Sequence, residues 1–351
     1  MADELNERLI VRNFGPITNL DIEIRPLTLF IGTQGSGKST IAKLLTICRE
    51  LAHIPDGIQK RDVIFHDYGL DEYFQDDSYF SYTINGIGVK YENGQFAFPL
   101  PDERTEIKSF LYVLAERNLV GSLSEAVASM WSAKIPISSL LLECMGLFER
   151  AAKMFPRYEI PFFGVDYVRR DHRNMIELRG KNKLLPLSVS SSGLQSAIPM
   201  LMVIDYALQA GDNDAFVIEE PEQNLFPENQ REVLGFITSR LTAGTKRQFV
   251  ITTHSPYMLS SLNVLMLAYR LYQLAEYREQ AAEVVKPQLM VNPSDVAVYS
   301  LESGGEVFCK SLISEKTGMV SVNELDTASI LIGEDFNRLY DLYVKSLKGK
   351  K

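Results

Sequence analysis

Apolar residues recur with two different spacings along this chain. Between residues 8 and 31, Leu9-Ile-Val11 is followed by a Gly15-Pro16 turn, by Leu20, Ile22 and Ile24 on one alternating face, and by the run Leu27-Thr-Leu-Phe-Ile31. A spacing of two marks half-buried strands, and a continuous apolar run marks a strand covered on both faces. After Gly37 the spacing changes: Ile41, Leu44, Leu45, Cys48 and Leu51 fall on one side of a helix. Two or three short strands, antiparallel in character, thus lead into the first helix.

Residues 53–78 carry no clear period. Beyond them, Asn85-Gly86 and Asn93-Gly94 separate runs at 79–84, 87–92 and 95–98. Asn-Gly between β-formers is the strongest short hairpin signal, because both turn residues need positive φ, so a three-stranded meander is predicted. Its aromatics Tyr79, Phe80, Tyr82, Tyr91, Phe96 and Phe98 fit ordinary strand packing better than a base-stacking platform. Helical spacing follows at 103–118, 122–133 and 137–154, with Ser122-Leu-Ser-Glu125 as a capping box. The third segment, with Leu140, Leu141, Leu142, Met145, Leu147 and Phe148, is apolar nearly all round and should be buried or meet a partner. Strand-like runs at 162–168 and 174–178 precede a buried helix at 197–210 and apolar strands within 214–218 and 248–253. The tail reads as helix at 262–282, strand at 296–299, and a helical face of Phe336, Leu339, Tyr340 and Tyr343.

The 351 residues carry 46% apolar side chains, enough for an ordinary core. A net charge of −9 argues against coating nucleic acid by bulk charge. Arg169, Arg170, His172, Arg173, Arg179, Lys181 and Lys183 nevertheless form a local basic cluster, diluted by Asp171 and Glu177; a solvated hairpin is its commoner explanation and a nucleic-acid or acidic contact the alternative. Three widely spaced cysteines, Cys48, Cys144 and Cys309, fit a reduced interior and no Cys-x-x-Cys metal pair. The polar, acidic start is unlike a secretory signal, and no apolar run approaches the ~20 residues needed to span a bilayer, so a cytoplasmic protein without membrane contact is expected.

The strand ending at Ile31 runs into Gly32-Thr-Gln-Gly-Ser-Gly-Lys-Ser-Thr40, which matches the phosphate-binding loop G-x-x-x-x-G-K-[ST] in the required strand-to-helix context. Backbone N–H groups at the helix start cradle phosphate oxygens where glycines such as Gly32, Gly35 and Gly37 let the chain come close. Thr33, Gln34 and Ser36 complete the loop. Lys38 would reach the β- and γ-phosphates, Ser39 would ligate Mg²⁺, and Thr40 extends the helix start. ATP and Mg²⁺ are the ligands expected.

Three later segments suit the same chemistry. Leu187-Ser-Val-Ser-Ser-Ser-Gly-Leu-Gln-Ser196 is a serine-glycine turn opening a helix, a second place able to receive phosphate. The strand Ala215-Phe-Val-Ile218 delivers Glu219 and Glu220 at its end, where an open α/β sheet binds ligands. Glu219 would orient Mg²⁺, directly or through water, and Glu220 would polarise the attacking water. Phe249-Val-Ile-Thr-Thr-His254 ends at the same edge, where His254 would meet the γ-phosphate or that water.

Gly32 to Ser39, Ser191-Ser-Gly-Leu-Gln195, 216–222 and His254 resemble the Walker A, signature, Walker B and switch-histidine motifs of ABC-type ATPases. Glu219-Glu-Pro-Glu222 with Leu225-Phe-Pro227, and Thr252-Thr-His-Ser-Pro256 with Leu259, narrow the resemblance to the ABC-type AAA group that includes SMC, RecF and OLD-like ATPases. The resemblance spans about residues 8–262. It implies an α/β P-loop NTPase, an ABC/SMC-type ATPase head with N-terminal antiparallel strands and a compact helical insertion.

It further implies a homodimer that sandwiches ATP, with Ser191, Ser192, Gly193 and Gln195 closing on the other subunit's P-loop, residues 223–225 as the subunit-crossing D-loop, and Gln75 as the Q-loop glutamine. Glu219 stands where many ABC proteins have Asp, and Phe226 where OLD-like members often have His.

Residues 1–351 read as one head, with a helical lid at 100–160 and an α/β extension at 263–351. The 153-position span from Lys38 to Ser191 holds no sustained heptad, which excludes a long SMC-like arm. No Toprim pattern follows the head, and the chain is expected to stop at the ATPase. The function expected is therefore an ATP-hydrolysing dimer controlling a separately encoded effector such as a nuclease or toxin, in antiphage defence. A RecF-like DNA-repair ATPase and a non-hydrolysing ATP-dependent scaffold are the rivals.

Overall fold

The computed structural model describes residues 6–53, 57–98, 108–123, 127–181, 183–211, 213–243, 247–302, 304, 307–321 and 336–340. Three strands open the fold: β1 (Glu7–Phe14), β2 (Ile17–Ile24) and β3 (Leu27–Gly32), followed by α1 (Lys38–His53). Ile41, Leu44, Leu45, Cys48 and Leu51 are all fully buried, the face that their spacing predicts. The unassigned stretch holds α2 (Gly57–Asp67).

The meander follows as β4 (Tyr79–Ile84), β5 (Ile87–Glu92) and β6 (Gln95–Ala97), with positive φ at Asn85, Gly86, Asn93 and Gly94. It joins the first hairpin in a five-stranded antiparallel sheet of order β2-β1-β4-β5-β6. The aromatics are core: Phe80 and Tyr82 are fully buried, and Phe80 stacks on Tyr91 at 5.3 Å amid Phe14, Phe65, Phe74 and Phe96.

The helix expected at 103–118 is not present among its described residues. In its place stands β7 (Leu111–Val113), paired parallel with a later strand. The helical spacing of the flanks loses to the gain from adding Leu-Tyr-Val, an apolar run with two β-formers, to the edge of a parallel sheet. Residues 100–107 lie outside the described residues. The expected lid thus contains a strand of the central sheet, and its helical part is α3 (Val120–Leu123), α4 (Val127–Ser132) and α5 (Ser139–Met154). Glu125 of the expected capping box lies outside the described residues, and Ser122 sits inside α3. Helix α5 buries Leu141, Met145, Leu147 and Phe148, as its composition predicts.

A four-stranded antiparallel sheet follows: β8 (Arg157–Ile160), β9 (Val165–Arg170), β10 (Arg173–Leu178) and β11 (Lys183–Pro186). The strand expected from 162 starts only at Val165, because Pro161 opens a single 3₁₀ turn closed by Gly164 at φ 66°.

The remaining elements build the central sheet: α6 (Ser192–Ala210), β12 (Ala215–Glu219), α7 (Pro227–Thr242), β13 (Gln248–Thr253), α8 (Pro256–Gln273), α9 (Arg278–Val284), β14 (Val296–Leu301) and β15 (Cys309–Ser311). Its order is β15-β14-β3-β13-β12-β7, parallel throughout except for β15. Glu219 pairs with Thr252 and Thr253 with Ile31, so β12, β13 and β3 end along one edge. Helix expected at 262–282 divides into α8 and α9. Tyr343 lies outside the described residues, while Phe336, Leu339 and Tyr340 are exposed.

A buried polar cluster ties the antiparallel sheet to the central one. Glu7 on β1 accepts from Tyr82 Oη at 2.6 Å and from Gln248 Nε2 at 2.6 Å, and lies 3.5 Å from Arg49 of α1. Arg49 also donates to Gln248 Oε1 and to the Lys108 carbonyl. Glu7, Tyr82, Gln248 and Arg49 are each nine-tenths buried or more, so the charges persist only because each has partners.

Candidate nucleotide site

The turn between β3 and α1 is shaped by glycines with different tasks. Gly35 and Gly37 have φ of 77° and 92°, the left-handed region that glycine enters freely. Gly32 has another reason: a Cβ there would lie 2.5 Å from the Leu301 carbonyl oxygen, so β14 packs directly on its backbone. Lys38, 5% exposed, donates to the carbonyls of Gly32 and Thr33, each at 2.8 Å, and to Ser36 Oγ at 3.3 Å. Burial pushes its ammonium down to about 8, while Glu220, Glu222 and Glu219 pull the other way.

A cleft of about 690 Å³ opens over this turn. Gln34, Gly35, Ser36, Gly37, Lys38, Ser39 and Thr40 line it together with Glu219, Glu220 and His254, and Pro16, Tyr73, Tyr112, Ala115 and Glu116 are among the other lining residues. Gly32 and Thr33 are outside this lining, as is Gln75, which instead approaches the Gly15 carbonyl at 3.4 Å.

The two adjacent carboxylates differ in setting. Glu219 is 4% exposed; its Oε2 accepts from the Ala115 N–H at 3.3 Å, and its buried Oε1 has no hydrogen-bond partner among the described residues. An orphaned carboxylate oxygen in the same cleft as the Ser39 hydroxyl is the donor set that a divalent cation completes, so these two residues fit Mg²⁺. Glu220 has φ 43°, an uncommon conformation for a residue with a Cβ and one held only where neighbours over-determine it. Its N–H donates to the Thr252 carbonyl at 2.9 Å, and its Oε1 lies 3.0 Å from His254 Nε2.

Glu222 carries a role that the sequence spacing did not single out. It is 7% exposed, and its Oε1 accepts from Thr253 Oγ1 at 2.6 Å and from the His254 N–H at 2.9 Å, fixing the main chain that presents the imidazole. Burial raises its carboxyl above the usual range, opposed by those two hydrogen bonds.

Residues 187–196 stand apart from this cleft. Ser191 occupies the N-cap position of α6 without a side-chain capping hydrogen bond, and both it and Ser192 are exposed. Gly193 is buried: a Cβ there would lie 2.7 Å from the Asn224 carbonyl oxygen, so the helix start rests on the turn that follows β12. Gln195 donates to the carbonyls of Ser188 and Ser190, at 3.3 and 2.8 Å, and accepts from Ser122 Oγ, so its amide braces the loop. Phe226, at the start of α7, is 76% exposed.

The basic cluster is paired in part. Arg169 donates to both oxygens of Glu149, and Arg179 bridges Asp166 and Glu159. That pairing leaves less free positive charge than the sequence suggests.

A family model described as AAA ATPase domain matches residues 7–113 and 122–259, which include the P-loop and both strand ends but not Ala115 and Glu116 of the cleft wall. The chain belongs to that family. The P-loop α/β class expected from the motifs stands, in an AAA ATPase domain. Among solved structures it is similar to the SMC head domain from Thermotoga maritima, at 14% identity over 74% of this chain and 92% of that one, with a TM-score of 0.42. It is also similar to the Pyrococcus furiosus Smc head domain with an extended coiled coil bound to the C-terminal domain of ScpA, at 12% identity over 88% and 96%, with a TM-score of 0.48. No curated protein matches it. Among the described residues of this ATPase domain, no helix is long and apolar enough to cross a membrane.

Proposed function

We propose that this domain binds and hydrolyses ATP as a homodimer, two copies enclosing the nucleotide between the P-loop of one and the Ser191-Ser192-Gly193 turn of the other. The observation that carries the reading is the 3.0 Å approach of His254 to Glu220 at the rim of the P-loop cleft, while the exposed Ser191 and Ser192 lie outside that cleft.

Within the cleft, Lys38 and the N–H groups at the start of α1 neutralise phosphate charge, and Ser39 and Glu219 would hold Mg²⁺, which polarises the β- and γ-phosphate oxygens. Glu220 accepts a hydrogen bond from the water that attacks the γ-phosphorus, and His254 fixes the Glu220 carboxylate in that orientation. Hydrolysis in this scheme is positioning and charge neutralisation, with little covalent chemistry left for the protein. Cycles of closing and opening would then drive a separately encoded effector. By analogy with the OLD-like resemblance, that output is a nuclease or toxin in cytoplasmic antiphage defence.

Phosphate release from the full chain with ATP and Mg²⁺ tests hydrolysis. The wild type should turn over, and Glu220→Gln should be about 10²-fold slower or more while still binding ATP. Equal, background rates would leave a non-hydrolysing scaffold as the better reading.

A further inference from the structure

Arg117 lies in the 3₁₀ turn Ala115–Leu119 between β7 and α3, and it is fully buried. Its guanidinium is spent on main-chain carbonyls. Nη1 donates to Leu114 O at 3.0 Å and to Glu219 O at 2.5 Å, Nη2 to Glu220 O at 2.6 Å, and Nε to Ser196 O at 3.2 Å. A buried cation is costly to keep, and an apolar side chain would fill the same space. The choice of acceptors is therefore informative.

Two of them belong to the cleft carboxylates. Glu220 is held on both sides, its N–H by Thr252 O and its C=O by Arg117, and between these anchors its φ is 43°. A third acceptor, Ser196, lies in the first turns of α6, just after Ser191-Ser192-Gly193. The same two segments touch twice more: Ser196 Oγ donates to Gln223 Oε1 at 3.3 Å, and Gly193 rests against Asn224 O. One planar fork thus joins the end of β12 to the start of the helix carrying the exposed serines.

We propose that Arg117 is a positioning residue with two functions. It holds the Glu220 main chain in the left-handed conformation that turns the carboxylate toward His254, and it transmits displacement of the α6 start to that carboxylate. Engagement of Ser191 and Ser192 by a second copy would then be felt at Glu220 through Arg117, beside the Ser196–Gln223 contact, whose Gln223 N–H also donates to the Glu220 carbonyl at 3.0 Å. This inference rests on the hydrolytic reading above and adds the link between its two halves. A lysine cannot replace the fork, because its point charge cannot span carbonyls on three separate segments.

The test compares wild type, Arg117→Lys, Glu220→Gln and the double variant as full chains. ATP affinity, turnover across ATP concentrations and amide hydrogen exchange are measured. R117K should bind ATP within about threefold of wild type yet turn over 10- to 100-fold more slowly, as expected for a misplaced carboxylate. The double variant should be no slower than E220Q, since both changes disable one unit.

Exchange should rise in R117K both at residues 219–220 and at 193–196. Unchanged turnover, losses that multiply, or exchange raised near residue 117 alone would each overturn the proposal. A wild type without turnover would defeat the hydrolytic reading, and the exchange comparison would still decide the mechanical link. Should R117K not fold, R117Q, a planar amide with two donors, serves the same comparison.

Discussion

His254 Nε2 stands 3.0 Å from Glu220 Oε1, and the N–H of the same histidine is fixed 2.9 Å from Glu222 Oε1. The imidazole is therefore placed from two sides, by its ring toward one carboxylate and by its main chain on another. His254→Ala frees the Glu220 carboxylate to rotate without touching the P-loop. Turnover should fall by about 10²-fold with ATP affinity within a few-fold of wild type, measured by steady-state kinetics beside equilibrium binding.

Lys38 makes nucleotide binding depend on pH. Its folded-state value of about 8 lies below that of an ordinary lysine, so the free site loses this proton as pH rises past 8. Phosphate requires the charged form and raises its affinity for the proton. Affinity for ATP should be level below about pH 8, then weaken by up to roughly tenfold per pH unit, with proton uptake on binding. Calorimetry in buffers of different ionisation enthalpy reads that uptake. The nucleotide-free protein should show the linked effect: the unfolded chain holds the proton more tightly, so Lys38's contribution to stability rises with pH above about 8.

Glu7 tests the junction between the two sheets. Glu7→Ala leaves Arg49, Gln248 and Tyr82 facing a gap, with a buried guanidinium short of its carboxylate. The expected loss is about 3–5 kcal/mol. Glu7→Gln, which keeps the shape and part of the hydrogen bonding, should cost about 1–3 kcal/mol. Urea unfolding followed by circular dichroism gives both values.

Most of what could be read from the sequence was local. Asn85-Gly86 and Asn93-Gly94 specify their own turns, and the Gly32 to Thr40 loop sits between a strand and a helix whose spacings are unmistakable. Glu219, Glu220 and His254 were legible because strands that end in polar residues share an edge in a parallel sheet.

Strand β7 was not legible, since three residues inside a helical-looking stretch become a strand only when β12 offers an edge. Arg117 was hidden for the same reason: its acceptors come from residues 114, 196, 219 and 220, and no spacing announces them. Gly32 has a second reason that the loop motif does not announce, as its missing side chain also makes room for Leu301.

Sedimentation of Glu220→Gln protein with and without ATP and Mg²⁺ bears most directly on the shared-nucleotide dimer. ATP should convert it to a long-lived dimer, and Ser192→Arg added to the same chain should abolish that dimer while leaving ATP binding intact. A Glu220→Gln protein saturated with ATP that stays monomeric would contradict the account.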